Sequence, residues 1–238
     1  MDAANLRMTI ETVRATGVDE ASRVAARLLA REIAVDLAAR GTCVLGIVGG
    51  RSEPGLLSAL VPLVRDLKGE LHVLWLDERV QGEKNCATEL PLLLAMRSTT
   101  LHVFAHPLKT TTRADIIKEA DRALATLERV RGSRRFDIVV ASAGEAGHVA
   151  SLFPRHIALK APGLGYVIVD DAPKAPPVRI SATPALIASA RWGLLLFEGG
   201  EKRVAYTHFL DTSVPTKECP AKILLELPAL VVVTALGR

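Results

Sequence analysis

The sequence predicts an α/β fold: a doubly wound, mainly parallel sheet with helices on both faces, in three α/β/α layers. Three observations predict it. Short, continuously apolar runs recur along the chain, the pattern of strands buried on both faces. Helical patterns with a single apolar stripe separate most of them. Regular strand–helix alternation calls for βαβ units and a parallel sheet. With 238 residues, 49% hydrophobic and 24% charged, the chain has the apolar content for one core and reads as a single domain over 1–238.

The elements follow in order. Residues 21–37 place Ala21, Val24, Ala25, Leu28, Leu29, Ile33 and Leu37 at spacings of three and four, a helix with one buried stripe that Gly41 ends. The run 43–48 (CVLGIV) is then a buried strand, and similar runs recur at 71–76, 101–104, 136–141, 166–169, 193–197 and 229–235. Helical segments are expected over 54–66, 86–97, 113–130, 184–191, 200–210 and 220–226. The Pro-rich piece 172–177 (APKAPP) is a loop within the domain.

Composition excludes several function classes. A formal charge of +4, from 30 Lys+Arg against 26 Asp+Glu, is explained as well by a small anionic substrate as by nucleic acid. Five Phe, two Trp and two Tyr supply few stacking platforms. No run of 18 apolar residues suggests a membrane span. Cys43, Cys86 and Cys219 are scattered and odd in number, as expected for reduced thiols in a cytoplasmic protein. The beginning MDAANLRMTIETV has an early Asp and no apolar run, unlike a signal peptide.

In open parallel sheets, ligands bind beyond the carboxyl ends of the strands, so the residues after each run are the candidates. After 43–48 come Gly49, Gly50, Arg51, Ser52, Glu53 and Pro54, a turn into a helix with Ser52 as N-cap; its free N–H groups suit a phosphate. Glu53 there favours the helix dipole but repels an anion. After 71–76 come Asp77, Glu78 and Arg79, either a solvated loop or a place where Arg79 pairs with an anionic oxygen and Asp77 accepts a sugar hydroxyl. After 136–141 comes Ser142-Ala143-Gly144-Glu145-Ala146-Gly147-His148, one histidine among small residues, suited to general acid–base work or to a structural role. His102 and His106 have i,i+4 spacing but fall in a strand and a loop, so zinc is not expected. The arginines at 129, 131, 134 and 135 read as a basic helix end rather than a DNA contact.

Together these segments resemble the 6-phosphogluconolactonase family. FDIVVASAGEAGHVASLFP is similar to its G-x-G-x-D-G-H-T-A-S-L-F-P motif. LDERV with Asn85 is similar to its DER…N segment, and IVGGRSEP to its S-G-G-S-T-P loop. PPVRISATPALIASARWGLLLFEGGEK resembles its P-P-R-I-T…G-x-x-K segment, and CPAKIL its closing helix. The match runs over roughly residues 43 to 238.

The resemblance implies an enzyme without cofactor or metal that hydrolyses 6-phospho-glucono-1,5-lactone to 6-phosphogluconate in the pentose phosphate pathway. It implies His148 as the base that activates water and Arg179 as the stabiliser of the developing oxyanion. Gly49, Gly50, Arg51, Ser52, Arg79 and Lys202 would cradle the phosphate, and Asp77 and Asn85 would hold sugar hydroxyls. Four departures stand out: Ala146 replaces the family aspartate, Val149 the threonine, Arg51 and Glu53 the small residues of the phosphate loop, and the stretch from Asp77 to Asn85 is short. Two other readings stay open, a sugar-phosphate-binding module without turnover and a glucosamine-6-phosphate deaminase-type isomerase.

Overall fold

A computed structural model describes residues 9–50, 52–82, 84–95, 100–104 and 112–237, with no side-chain detail at 88, 90 and 100–104. Among the described residues, seven strands form one parallel sheet: β1 (Thr9–Arg14), β2 (Thr42–Ile47), β3 (Glu70–Trp75), β5 (Thr100–Phe104), β6 (Ile138–Ser142), β9 (Trp192–Phe197) and β10 (Ala229–Thr234). Their order is β1-β10-β9-β6-β2-β3-β5. A second sheet of three short antiparallel strands, β4 (Asp77–Arg79), β8 (Arg179–Ala182) and β7 (Tyr166–Val169), stands apart from it. The run at 166–169 therefore belongs to this small sheet rather than to the parallel one.

Side-chain alternation along the buried strands builds two cores. In β2, Cys43, Leu45 and Ile47 face one side and Val44 the other, joined there by Val48 just beyond the strand. The first side is covered by α1 (Val18–Arg40), α2 (Glu53–Val64) and α3 (Asn85–Leu94), through residues such as Leu29, Ile33, Leu57, Leu60 and Leu93. The second is covered by α4 (Arg113–Arg131), α5 (Pro184–Ala188) and α6 (Arg203–Leu210), together with a 3-10 helix over Pro220–Glu226. These are the three expected layers. The segment 220–226 winds as 3-10 rather than α, and 200–210 opens with a 3-10 turn at Gly200–Lys202.

Gly41 closes α1 in the left-handed conformation, its N–H returning to the Leu37 carbonyl. Behind the sheet, Asp137 is fully buried, accepts the Val44 N–H at 2.8 Å and pairs with Arg40 at 2.7 Å and Arg131 at 2.6 Å. Asp36 joins this network through Arg40 and Arg191, each at about 3 Å. Arg131, read from sequence as a helix-end charge, thus neutralises a buried carboxylate. No helix among the described residues is long and apolar enough to cross a membrane.

The strand order fixes where a ligand can go. From β2 the chain proceeds outward through β3 and β5, and from the adjacent β6 it proceeds the other way through β9 and β10. Connections leaving β2 and β6 therefore diverge, which opens a crevice at their carboxyl ends.

Candidate active site

That crevice is a cleft of about 230 Å³ whose wall includes Gly49, Gly50, Asp77, Arg79, Asn85, His148, Arg179 and Lys202. Eight of the ten residues expected from sequence thus converge on one cavity. Ser52 is buried just behind it, and Arg51 lies outside the described residues. His106 is outside them as well, and His102 falls on β5, whose side chains are not described.

His148 is held by shape. Gly144 donates its N–H to the His148 carbonyl at 2.9 Å, and Gly147 donates to the Gly144 carbonyl at 2.8 Å, a tight turn that folds the imidazole back over Gly144. A Cβ at position 144 would overlap the ring. Phe153 supports its other side, with ring centroids 4.7 Å apart. Ala150 is forced to a φ of 50°, a left-handed conformation that costs an L-residue about 1–2 kcal/mol. Burial, then the charges of Lys174, Arg179 and Lys202, push the imidazole down to about 4. It is uncharged at neutral pH, and its Nδ1 is buried without a hydrogen-bond partner among the described residues. Ala146 and Glu145 are exposed, and Glu145 reaches across to Lys174 at 3.7 Å. Glu145 therefore does not take over the role of the missing aspartate.

The small sheet delivers the arginines. β4 and β8 pair antiparallel with Asp77 opposite Ser181 and Arg79 opposite Arg179. Like charges directly opposite one another destabilise a sheet, so this pair is better suited to a bound anion than to structure alone. Arg179 donates from Nε to the Pro176 carbonyl (3.1 Å) and from Nη2 to those of Lys174 (3.1 Å) and Ala175 (3.2 Å). It thereby pins the Pro-rich loop, lies 5.6 Å over Phe153, and keeps Nη1 without a protein partner among the described residues. Asp77 is buried and accepts the Ser151 hydroxyl at 2.7 Å; burial lifts it to about 6 against that bond.

The three charges at 77–79 are not a solvated loop. Glu78 is fully buried and caps α3, accepting from the N–H groups of Asn85 (2.7 Å) and Cys86 (3.0 Å). The Asn85 amide donates to the Asp77 carbonyl at 3.2 Å and faces Gly49, where any Cβ would overlap it.

Ser52 occupies the N-cap position of α2 but makes no side-chain cap bond. It accepts from Lys202 at 3.2 Å and from Ser142 at 3.3 Å, and Lys202 also donates to Ser142. The buried ammonium is thus aimed by two hydroxyls at the mouth of the Gly49–Gly50 turn. Sequence reasoning gave no role to Ser142, Ser151, Lys174 and Glu89. Of these, Ser142 and Lys174 were within reach, since one ends β6 in the stretch already named and the other sits in the Pro-rich loop already singled out.

Fold and cleft together define a class: a parallel α/β protein with a cation-lined site for a small anionic ligand at its switch point and an uncharged histidine beside it. The chain belongs to the glucosamine-6-phosphate isomerase/6-phosphogluconolactonase family, whose model matches residues 17–231. It is 32% identical over 198 residues to a 6-phosphogluconolactonase of Streptomyces coelicolor, 76% of this chain and 75% of that one. Over a shorter stretch of 103 residues it is 41% identical to the 6-phosphogluconolactonase of Borreliella burgdorferi, 43% of this chain and 44% of that one. A solved 6-phosphogluconolactonase from Shewanella baltica superposes with a TM-score of 0.76 at 21% identity, covering 96% of this chain and 98% of that one. A monomeric glucosamine-6-phosphate deaminase superposes with a TM-score of 0.74 at 18% identity, covering 94% and 96%. Both activities thus occur on this fold, and the choice between them rests on the site.

Proposed function

We propose that this protein is a cytoplasmic 6-phosphogluconolactonase, hydrolysing 6-phospho-glucono-1,5-lactone to 6-phosphogluconate in the pentose phosphate pathway. The observation that carries the reading is an uncharged His148 facing a cleft that also holds Arg79, Arg179 and Lys202. In the proposed reaction, His148 takes a proton from water as the water oxygen adds to the lactone carbonyl. The negative charge that develops on the carbonyl oxygen meets the free Nη1 of Arg179. Collapse of the tetrahedral intermediate breaks the ring ester bond, and the imidazolium returns its proton to the departing ring oxygen. Gly49, Gly50, Ser52, Arg79 and Lys202 hold the phosphate, with Arg51 adjoining them in sequence, and Asp77 and Asn85 meet the sugar hydroxyls.

The second reading, a sugar-phosphate binder without turnover, is favoured by one observation: among the described residues no carboxylate orients Nδ1 of His148, with alanine at 146. Lactone hydrolysis at pH 7, corrected for the spontaneous reaction, separates the two. The lactonase reading expects a rate well above the blank that drops at least 100-fold in His148→Ala. A wild type equal to the blank that still binds 6-phosphogluconate supports the binder.

A further inference from the structure

Glu53 is out of place at a phosphate site. It is the first residue of α2, on the helix end whose free N–H groups would attract an anion, and its side chain lines the cleft. It is 1% exposed, and apart from a weak approach of its own backbone N–H neither carboxyl oxygen has a hydrogen-bond partner among the described residues. The carboxyl lies against the phosphate-loop backbone, with Oε2 3.0 Å from where a Cβ on Gly50 would stand. Two further buried carboxyls face it: Glu89 of α3, whose Oε1 accepts the Gly50 N–H at 3.4 Å, and Glu198, just past β9. The facing cation is Lys202. An ionised Glu53 at this end of the cleft, with Glu89 and Glu198 beside it, would oppose the attraction that Lys202 and Arg79 exert on a phosphate.

We propose that Glu53 recognises the phosphate as the neutral acid, donating its carboxyl hydrogen to a phosphate oxygen, so that the protein takes up a proton as the sugar phosphate binds. The inference rests on the lactonase family reading of the ligand. The balance is simple: a carboxylate, a solvent proton and a phosphate dianion become a carboxylic acid hydrogen-bonded to the dianion. A buried carboxyl kept neutral so that it can donate is an established device in enzymes. Burial raises Glu53 to about 8, reinforced by Glu89 and Glu198 and opposed by Lys202, and raises Glu89 to about 7. A dianion set against Glu53 raises it further, which is the origin of the uptake. Glu53 thereby makes the phosphate end of the cleft select a hydrogen-bond acceptor, and makes affinity fall once the carboxyl ionises.

The test is calorimetric titration of the full chain with 6-phosphogluconate at pH 8, where the ligand phosphate is already a dianion. Two buffers of unlike ionisation enthalpy give the proton count, and affinity is followed from pH 7 to 9.5. The expected result is net uptake of a fraction of a proton, with affinity falling toward tenfold per pH unit above pH 8. Glu53→Gln keeps a donor without a titrating group, so it binds with little uptake and a flattened profile. Wild type that binds without uptake and with flat affinity overturns the proposal. So does uptake that survives in Glu53→Gln and disappears in Glu89→Gln, which assigns the proton to Glu89. If neither wild type nor Glu53→Gln binds 6-phosphogluconate and wild type hydrolyses no lactone above the blank, the family reading of the ligand falls, and the proposal with it.

Discussion

Gly144→Ala tests the placement of His148 by adding a single methyl group. Gly144 is not among the left-handed glycines, so alanine is compatible with its backbone. The variant is expected to fold, with the two turn hydrogen bonds at 144–148 kept. The new methyl would overlap Cε1, Nδ1 and Nε2 of the imidazole. Carbon atoms need about 3.5 Å of separation, so the ring must withdraw by more than about 1 Å. Phe153 blocks retreat on one side, which leaves rotation out of the catalytic position. A misplacement of that size costs a positioned base about 100-fold in rate, or about 2.7 kcal/mol of transition-state stabilisation. KM should change little, because Arg79 and Lys202 keep their places. The assay is kcat and KM for the lactone, corrected for spontaneous hydrolysis, in Gly144→Ala, His148→Ala and the double variant. The double variant should be no slower than His148→Ala, since both changes remove one function. A Gly144→Ala enzyme within threefold of wild-type kcat would refute the reasoning that His148, in this position, is the base.

Two other predictions concern pH and stability. His148 lies below its ordinary value at about 4, so the base form is present above that pH and is lost as pH falls through it; kcat/KM should fall below pH 4 for that reason, with a separate change near pH 6 from Asp77 and the substrate phosphate. A limb near pH 6 that persists in Asp77→Asn with a lactone lacking the phosphate would show that burial and the cations around the ring do not act as described. Asp137→Asn removes the charge shared by Arg40 and Arg131 and one of the two acceptor oxygens, and because both arginines are one-third exposed and can turn toward water, the cost should be about 2–4 kcal/mol. Urea unfolding measures it, and a loss below about 0.5 kcal/mol would mean the network is neutral, while lactonase activity of the folded variant should be unchanged.

The sequence was most legible where burial imposes one pattern. Strands such as 43–48 and 193–197 are apolar on both faces because helices cover both, so a continuous run identified them. β1 escaped detection because it is an edge strand pairing only β10, and its TIETVR side chains are largely exposed. β4 and β8 escaped for another reason: at three and four residues, with Asp77, Glu78, Arg79 and Arg179 among them, they carry charge where strands usually carry apolar side chains. Asp77 and Arg79 were nevertheless candidates, because chemistry at a strand's end is visible without knowing the local pairing, whereas Arg179 was reached only through the family resemblance. The supporting groups were not: that Ser142 and Ser52 aim Lys202, or that Ser151 holds Asp77, depends on contacts across 60 to 150 positions in the chain. No local pattern encodes such pairs.

The site also bears on why a histidine without its carboxylate can still serve as a base. In an orienting pair, the carboxylate fixes the ring and raises its affinity for a proton. Here the first task is done by sterics, with Gly144 beneath the ring, Phe153 behind it and Ala150 strained into place. The second is reversed, because burial first, and then the charges of Lys174, Arg179 and Lys202, depress the imidazole. Of those charges, Lys202 is proposed to hold the phosphate and Arg179 to meet the developing oxyanion, so a bound substrate brings negative charge beside both. A phosphate dianion against Lys202 and Arg79 offsets part of their field, and negative charge growing on the carbonyl oxygen offsets that of Arg179. Each shift makes His148 a stronger base as the reaction advances. On the proposed mechanism, part of the basicity that the family aspartate would supply permanently comes from the substrate itself, at the point where the proton must move.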